Sequence, residues 1–317
     1  MSFNDKKPFG SPGQDSPTNT RTGEKKQKQN KPEIEIPVTI AMPIKVLFKE
    51  ELGSSSASPG PAFSFVKALK AVNAELLELY PESRELFKVI IIDEHPTGSI
   101  NSTIQTHGLN ELITFLSVSE DQLVHKLQQH NTHLYLSDES QLKVKEALNE
   151  GIAAAAVFTP DNIAETEDQL RVAFDGDAVL FSDESERVFK DKGLKGYLEN
   201  EKREIENPMK PGPFKTFLEV LERLQRKFHD KPEYKKKCPI RTYLVTSRGA
   251  GCDGYRALNT LRTWSLEMDE AVFNGGSKKG PPLQRIKPQI FFDDQMCHVK
   301  AALEVGIVAC LVPYSSE

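Results

Sequence analysis

The sequence predicts an α/β protein made of two Rossmann-like three-layer α/β/α units in tandem, the second carrying a small helical cap insertion. Three observations point there. Short apolar runs of strand length alternate with helical stripes along the chain from about Ile34. Runs of that kind are what strands buried on both faces of a parallel sheet look like. The same order of elements then recurs in the second half, and pairs of carboxylates stand directly after two of the later runs.

Residues 1–33 are rich in Gly, Pro, Ser, Gln and Lys and nearly empty of apolar side chains, so a disordered tail is expected there. The first unit is expected over 34–165. VTIA (38–41) reads as a strand, and Pro61 to Tyr80 as a helix with Phe65, Leu69, Val72, Leu76 and Leu79 on one stripe. FKVIII (87–92) and HLYL (133–136) read as strands, Gln141 to Glu150 as a helix and GIAAAAVF (151–158) as a further strand. The second unit, 166–317, repeats the order. It has RVAF (171–174), a helix from Phe214 to Phe228, TYLV (242–245), a helix near Gly254 to Trp264, QIFF (289–292) and GIVACLV (306–312).

The repeat can be laid out by residue. VTIAMPIKVLF (38–48) lies over VAFDGDAVLF (172–181), and SPGPAFSFVKAL (58–69) over KPGPFKTFLEVL (210–221). KVIIIDEH (88–95) lies over TYLVTSR (242–248), and the Gly-Ile pairs at 151 and 306 match. The second unit carries extra residues between Phe181 and Pro211, so an insertion at about 182–210 is expected. Met42 and Ile44 stand where the second unit has Asp175 and Asp177. A thioether and an alkyl group can neither act as a carboxylate nucleophile nor move a proton. The first unit, which keeps the acidic pair Asp138 and Glu139, is therefore read as a degenerate copy that has kept the fold and lost the chemistry.

Composition narrows the classes. A 317-residue chain with 38% hydrophobic residues can bury a proper core. Its net charge of −5 gives no general attraction to nucleic acid polymers. No apolar run is long enough to span a membrane and no secretory leader is visible. The four cysteines, Cys238, Cys252, Cys297 and Cys310, have neither CxxC pairing nor zinc spacing, as expected of reduced thiols in the cytoplasm.

The chemistry-bearing residues follow the apolar runs of the second unit. Asp175 and Asp177, separated by Gly176, come directly after VAF. Ligands gather at the carboxyl ends of strands in open α/β sheets, and two acids there suit a nucleophile and a proton carrier. Taken alone, the stretch reads equally well as an Asp-Gly turn. A calcium loop fits poorly, because Val179 stands where an oxygen ligand is needed. Thr246 and Ser247 after TYLV could cradle a phosphate or simply cap a helix. Lys279 could neutralise a transferring phosphoryl group. Asp293 and Asp294, after QIFF, offer hard oxygen ligands of the kind Mg²⁺ takes. His298, one helical turn past Asp294, could reach the same place, and Phe189 or Tyr197 of the insertion could stack on a base or pack on the sheet.

The ordered set D-x-D, T, K, D-D resembles the haloacid-dehalogenase-type phosphohydrolases. That resemblance implies Asp175 as nucleophile and Asp177 as general acid and then base. It implies Thr246 and Lys279 around the phosphoryl oxygens, and Mg²⁺ held by Asp175, the Asp177 carbonyl, Asp293 and Asp294. FDGDAVLFSDESE (174–186), PGPAFSFVKAL (59–69), CPIRTYLVT (238–246) and FFDDQMCH (291–298) resemble more closely the cytosolic 5′-nucleotidases of class I, over about Val38 to Tyr314. This implies a Mg²⁺-dependent cytoplasmic hydrolase of nucleoside 5′-monophosphates, chiefly AMP and deoxynucleotides. It also implies activation by ADP and homo-oligomers. The chain departs from that family at IDEHPT (92–97) and SRGAGCDG (247–254). Two alternatives stand beside this reading: a phosphatase for another small phosphomonoester, and a non-catalytic nucleotide-binding regulatory protein.

Overall fold

The computed structural model describes residues 35–49, 56–92, 98–138, 141–166 and 168–315. The tail expected over 1–33, Glu139 and positions 93–97 of the departing IDEHPT segment lie outside them. The first half runs β1 (Val38–Pro43), α1 (Ile44–Leu47), the short pair β2 (Phe48–Lys49) and β3 (Ser58–Pro59), and α2 (Phe63–Leu79). It continues through β4 (Phe87–Ile92), α3 (Gly98–Thr106), β5 (Ile113–Leu116), α4 (Leu123–Gln129), β6 (Thr132–Ser137), α5 (Gln141–Asn149) and β7 (Ala153–Phe158). The second half runs β8 (Leu170–Phe174), α6 (Glu184–Arg203), α7 (Lys215–His229), β9 (Ile240–Thr246), α8 (Cys252–Thr263) and β10 (Glu270–Phe273). It closes with α9 (Gly280–Ile286), β11 (Ile290–Asp293), α10 (Met296–Leu303) and β12 (Ala309–Leu311).

One ten-stranded sheet holds both halves, in the order β10-β9-β8-β11-β12-β7-β6-β1-β4-β5. Within each half the strands are parallel; the halves join through the antiparallel pair β12 and β7, with Cys310 opposite Val157. Counted outward from the joint, each half has its last strand, its fourth, its first, its second and its third main strand. Because the joint is antiparallel, the carboxyl ends of the two halves' strands open at opposite edges of the sheet. Helices cover both faces, which is why β1, β7 and β8 are buried almost along their whole length rather than alternating.

Local contacts also recur. Gly60 N–H donates to the Leu47 carbonyl at 2.8 Å and Ala62 N–H to Val46 at 2.9 Å. In the second half Gly212 N–H donates to Leu180 at 2.8 Å and Phe214 N–H to Val179 at 3.0 Å. A Cβ on Gly212 would lie 2.3 Å from the Phe181 carbonyl oxygen, so the crossing admits only glycine. Gly151 and Gly306, at φ +78° and +80°, both end a helix in the left-handed conformation that glycine adopts without strain.

The expected strands and long helices all form. The differences lie at the rims. β5 and β10, four residues each, are not among the expected strands; they are edge strands whose side chains are mostly half-buried or exposed. GIVACLV contributes only Ala309–Leu311 to the sheet, since Gly306 is spent in turning the chain out of α10.

Candidate active site

The site is built where β8, β9 and β11, adjacent in the sheet, end together. Beneath it Phe174, Phe214, Phe217 and Phe292 pack ring on ring, with centroid separations from 4.6 Å for Phe214 and Phe292 to 6.5 Å for Phe214 and Phe217. This rigid floor fixes the two strand ends that carry acids. Asp175 follows β8 and its N–H donates to the Phe292 carbonyl at 2.8 Å, tying the ends of β8 and β11 together. The chain then turns sharply, with Ala178 at φ +59°. Gly176 sits tightly there: a Cβ would meet the Phe181 ring at 3.1 Å and Thr246 Oγ1 at 3.3 Å.

Asp175 Oδ1 accepts from Gly176 N–H at 2.6 Å and from Lys279 Nζ at 2.7 Å. The same lysine, wholly buried, reaches Asp293 Oδ2 at 2.7 Å. Asp293 Oδ1 accepts from Gln295 N–H at 2.9 Å. Oxygens of Asp175, Asp293 and Asp294 lie within 4.8 Å of one another. Lys279 is delivered by a loop whose Gly275 and Gly276 N–H groups bond to the carbonyls of Arg248 and Ser247 at 3.0 and 2.9 Å.

The electrostatics are one-sided. Burial would lower the pKa of Lys279, but Asp175 and Asp293 more than offset it and hold it up at about 12. Burial pushes Asp175 up to about 7 against the pull of Lys279, and Asp293 adds to the rise. Asp294 is pushed up to about 10 by burial and by the charges of Asp175 and Asp293. Glu186 of α6 hydrogen-bonds Asp294, yet Asp294 Oδ1 is buried with no hydrogen-bond partner among the described residues. Three crowded carboxylates, one of them with an orphaned oxygen, against a single lysine charge make a set of oxygen ligands that suits a hard divalent cation.

Thr246 ends β9, with its Oγ1 accepting from Arg248 N–H at 3.2 Å. Ser247 Oγ lies 3.3 Å from His298 Nε2, whose pKa burial and Lys279 lower. Phe189 and Tyr197 meet edge to face at 6.1 Å on α6, and Phe189 is exposed. All the residues singled out for phosphate and metal chemistry therefore sit together at one end of the sheet. Sequence reasoning missed what surrounds Asp177. Arg248 grips it through Nε to Oδ2 at 2.8 Å and Nη2 to Oδ1 at 2.7 Å, and is itself bound to Glu201 of α6 at 2.6 Å. Arg256 also pairs with Glu201, at 2.9 Å. An arginine directly after Thr246-Ser247 was visible in the sequence; the burial of Glu201 within a charged helix was not.

Fold and site together define an α/β protein with a carboxylate–lysine centre at the carboxyl ends of parallel strands. The chain belongs to the 5′-nucleotidase family, whose model matches residues 46–317. It is 45% identical over 256 residues to human cytosolic 5′-nucleotidase 1B, an alignment covering 80% of this chain and 42% of that protein. The chain thus spans less than half the length of this relative. A crystal structure titled as a β-phosphoglucomutase of Thermotoga maritima overlaps 44% of this chain and 82% of its own. With 22% identity and a TM-score of 0.24, that overlap carries no argument. No helix among the described residues is long and apolar enough to cross a membrane.

Proposed function

We propose that this chain is a Mg²⁺-dependent 5′-nucleotidase that hydrolyses nucleoside 5′-monophosphates, AMP and dAMP among them, through an aspartyl-phosphate on Asp175. The observation that carries the reading is the joining of Asp175 and Asp293 through buried Lys279, with Asp294 alongside. Family membership and the human cytosolic relative support the substrate class and a cytoplasmic location. An ADP effector and self-association belong to the same reading, as properties the family resemblance implies.

Both bonds made by the Asp175 carboxylate end on Oδ1, which leaves Oδ2 to attack phosphorus. The bond from phosphorus to the ribose 5′ oxygen breaks, and its electron pair leaves on that oxygen, which takes a proton from Asp177. Water then attacks the aspartyl-phosphate and gives a proton to Asp177, releasing inorganic phosphate and restoring Asp175. Lys279 and the hydroxyls of Thr246 and Ser247 offset charge on the phosphoryl oxygens. Asp175, Asp293, Asp294 and the Asp177 carbonyl would hold Mg²⁺, whose chemistry there is to neutralise charge between two anions.

The first half is read as a degenerate copy of the second. The shared strand order, the matching bonds of Gly60 and Gly212 and the matched glycines 151 and 306 support this. Met42 is fully buried at the degenerate position, and Lys45 pairs there with Asp138. The insertion carrying α6 is read as the cap that selects substrates.

The test is Asp175→Asn, assayed for phosphate release from AMP with Mg²⁺. Release should fall below detection while circular dichroism and the melting temperature stay near wild type. Normal turnover in that variant would end the proposed mechanism. A panel of AMP, IMP, UMP and sugar phosphates against the wild type checks the substrate class.

A further inference from the structure

We propose that Arg248 is a positioning residue for Asp177, and that Glu201 fixes Arg248, so that the inserted helix α6 sets the direction of the acid/base group. The inference rests on the nucleotidase reading above. An arginine two positions beyond a phosphate-binding threonine invites assignment as a phosphate clamp, but its hydrogen bonds exclude that role. A guanidinium has five N–H donors. In Arg248, Nε and one Nη2 hydrogen serve the two oxygens of Asp177. Nη1 serves Glu201 Oε2 at 2.6 Å and the Asp253 carbonyl at 3.1 Å, and Nη2 also faces Met209 Sδ at 2.9 Å. Every donor is committed within the protein, and the residue is 2% exposed.

The fork takes one lone pair from each Asp177 oxygen and leaves the others for the substrate, in a fixed plane. Glu201, 0% exposed, is held from the other side by Arg256 Nη1 at 2.9 Å and Ser185 Oγ at 2.8 Å. The chain of contacts therefore runs from the start and end of α6, through Glu201 and Arg248, to Asp177. A lysine at 248 could not reproduce it, because an ammonium has no fork.

The experiment is steady-state hydrolysis of AMP with Mg²⁺ by Arg248→Lys, Arg248→Met and Glu201→Gln, each alone and combined with Asp177→Asn. Circular dichroism and thermal melting select the variants that fold, and near-isosteric Glu201→Gln guards against loss of the arginine variants. The expected result is a fall in kcat of roughly 10- to 100-fold for Arg248→Met, part of the usual worth of acid–base help, with KM within about threefold. Arg248→Lys should lose nearly as much and Glu201→Gln less, while none should cost more than about twofold further once Asp177 is Asn. Losses that multiply with Asp177→Asn, or a kcat unchanged in the Arg248 variants, overturn the inference and leave the nucleotidase reading standing. A wild type that releases no phosphate from any nucleotide overturns both.

Discussion

Three carboxylates crowd together at the end of the sheet around one buried lysine that bonds only two of them, and this imbalance is the strongest physical statement the site makes. Burial raises Asp175 to about 7 and Asp294 to about 10, well above a carboxyl's value in an unfolded chain. Between the unfolded value of about 4 and these raised values the metal-free folded protein binds more protons than the unfolded one, so its stability is fully present below about pH 4 and is lost as pH rises toward 7 for Asp175 and toward 10 for Asp294. We expect urea denaturation in EDTA to lose on the order of 2 kcal/mol or more from about pH 5 to about pH 8. Saturating Mg²⁺ should remove most of that loss, by about 2.7 kcal/mol at a hundred times its Kd. Asp294→Asn should flatten the pH dependence and weaken the Mg²⁺ effect. Stability that rises over the same pH range in EDTA would contradict this account of the charges.

At the scale of elements, the pairing of an apolar run with a later Pro-Gly-Pro segment frames each crevice. Val179 and Leu180 accept from Phe214 and Gly212, clasping the turn that carries Asp177 to the start of α7. Gly212→Ala would place a methyl group 2.3 Å from the Phe181 carbonyl oxygen, a backbone atom that cannot swing aside. We expect it to cost about 1–3 kcal/mol in denaturation and to lower phosphate release, since the strain falls on the Asp177 turn. Gly60→Ala, 2.7 Å from Val46 O, should cost a similar amount and leave turnover nearly unchanged. Equal effects of both substitutions on turnover would remove the link between clasp and site. These elements were legible in the sequence because buried strands must be continuously apolar and α7 must keep Phe217, Leu221, Leu224 and Phe228 on its covered side. β5 and β10 were not, because a half-exposed edge strand has no such obligation. The kink of α6 at Gly193, φ +64°, was equally hidden in a charged run.

At the scale of the molecule, the two halves are not beads on a string. The sheet passes from one to the other through β7 and β12, and the Tyr80 hydroxyl donates to the Lys227 carbonyl at 2.8 Å across them. Glu85, almost fully buried, is paired with both Arg223 and Lys227. A chain of residues 166–317 alone would bare β12 as an apolar edge and leave those cations without their acid. We expect it to aggregate on size-exclusion chromatography, whereas the full chain elutes as a defined species. A monodisperse, fully active fragment would show that the first half contributes nothing to the fold of the second. The antiparallel joint also turns the first half's crevice to the other edge of the sheet, so its Lys45–Asp138 pair cannot serve the end that carries Asp175. By itself the sequence determined the kind of sheet, the positions of its main strands and the acids at their ends, because burial on two faces and chemistry at strand ends both leave marks in residue order. Only the tertiary structure decided that the halves meet antiparallel, that Lys279 bridges two acids and that Arg248 grips Asp177. Those facts depend on which distant side chains are removed from water together, and buried charge is paired by proximity in space, which residue order does not record.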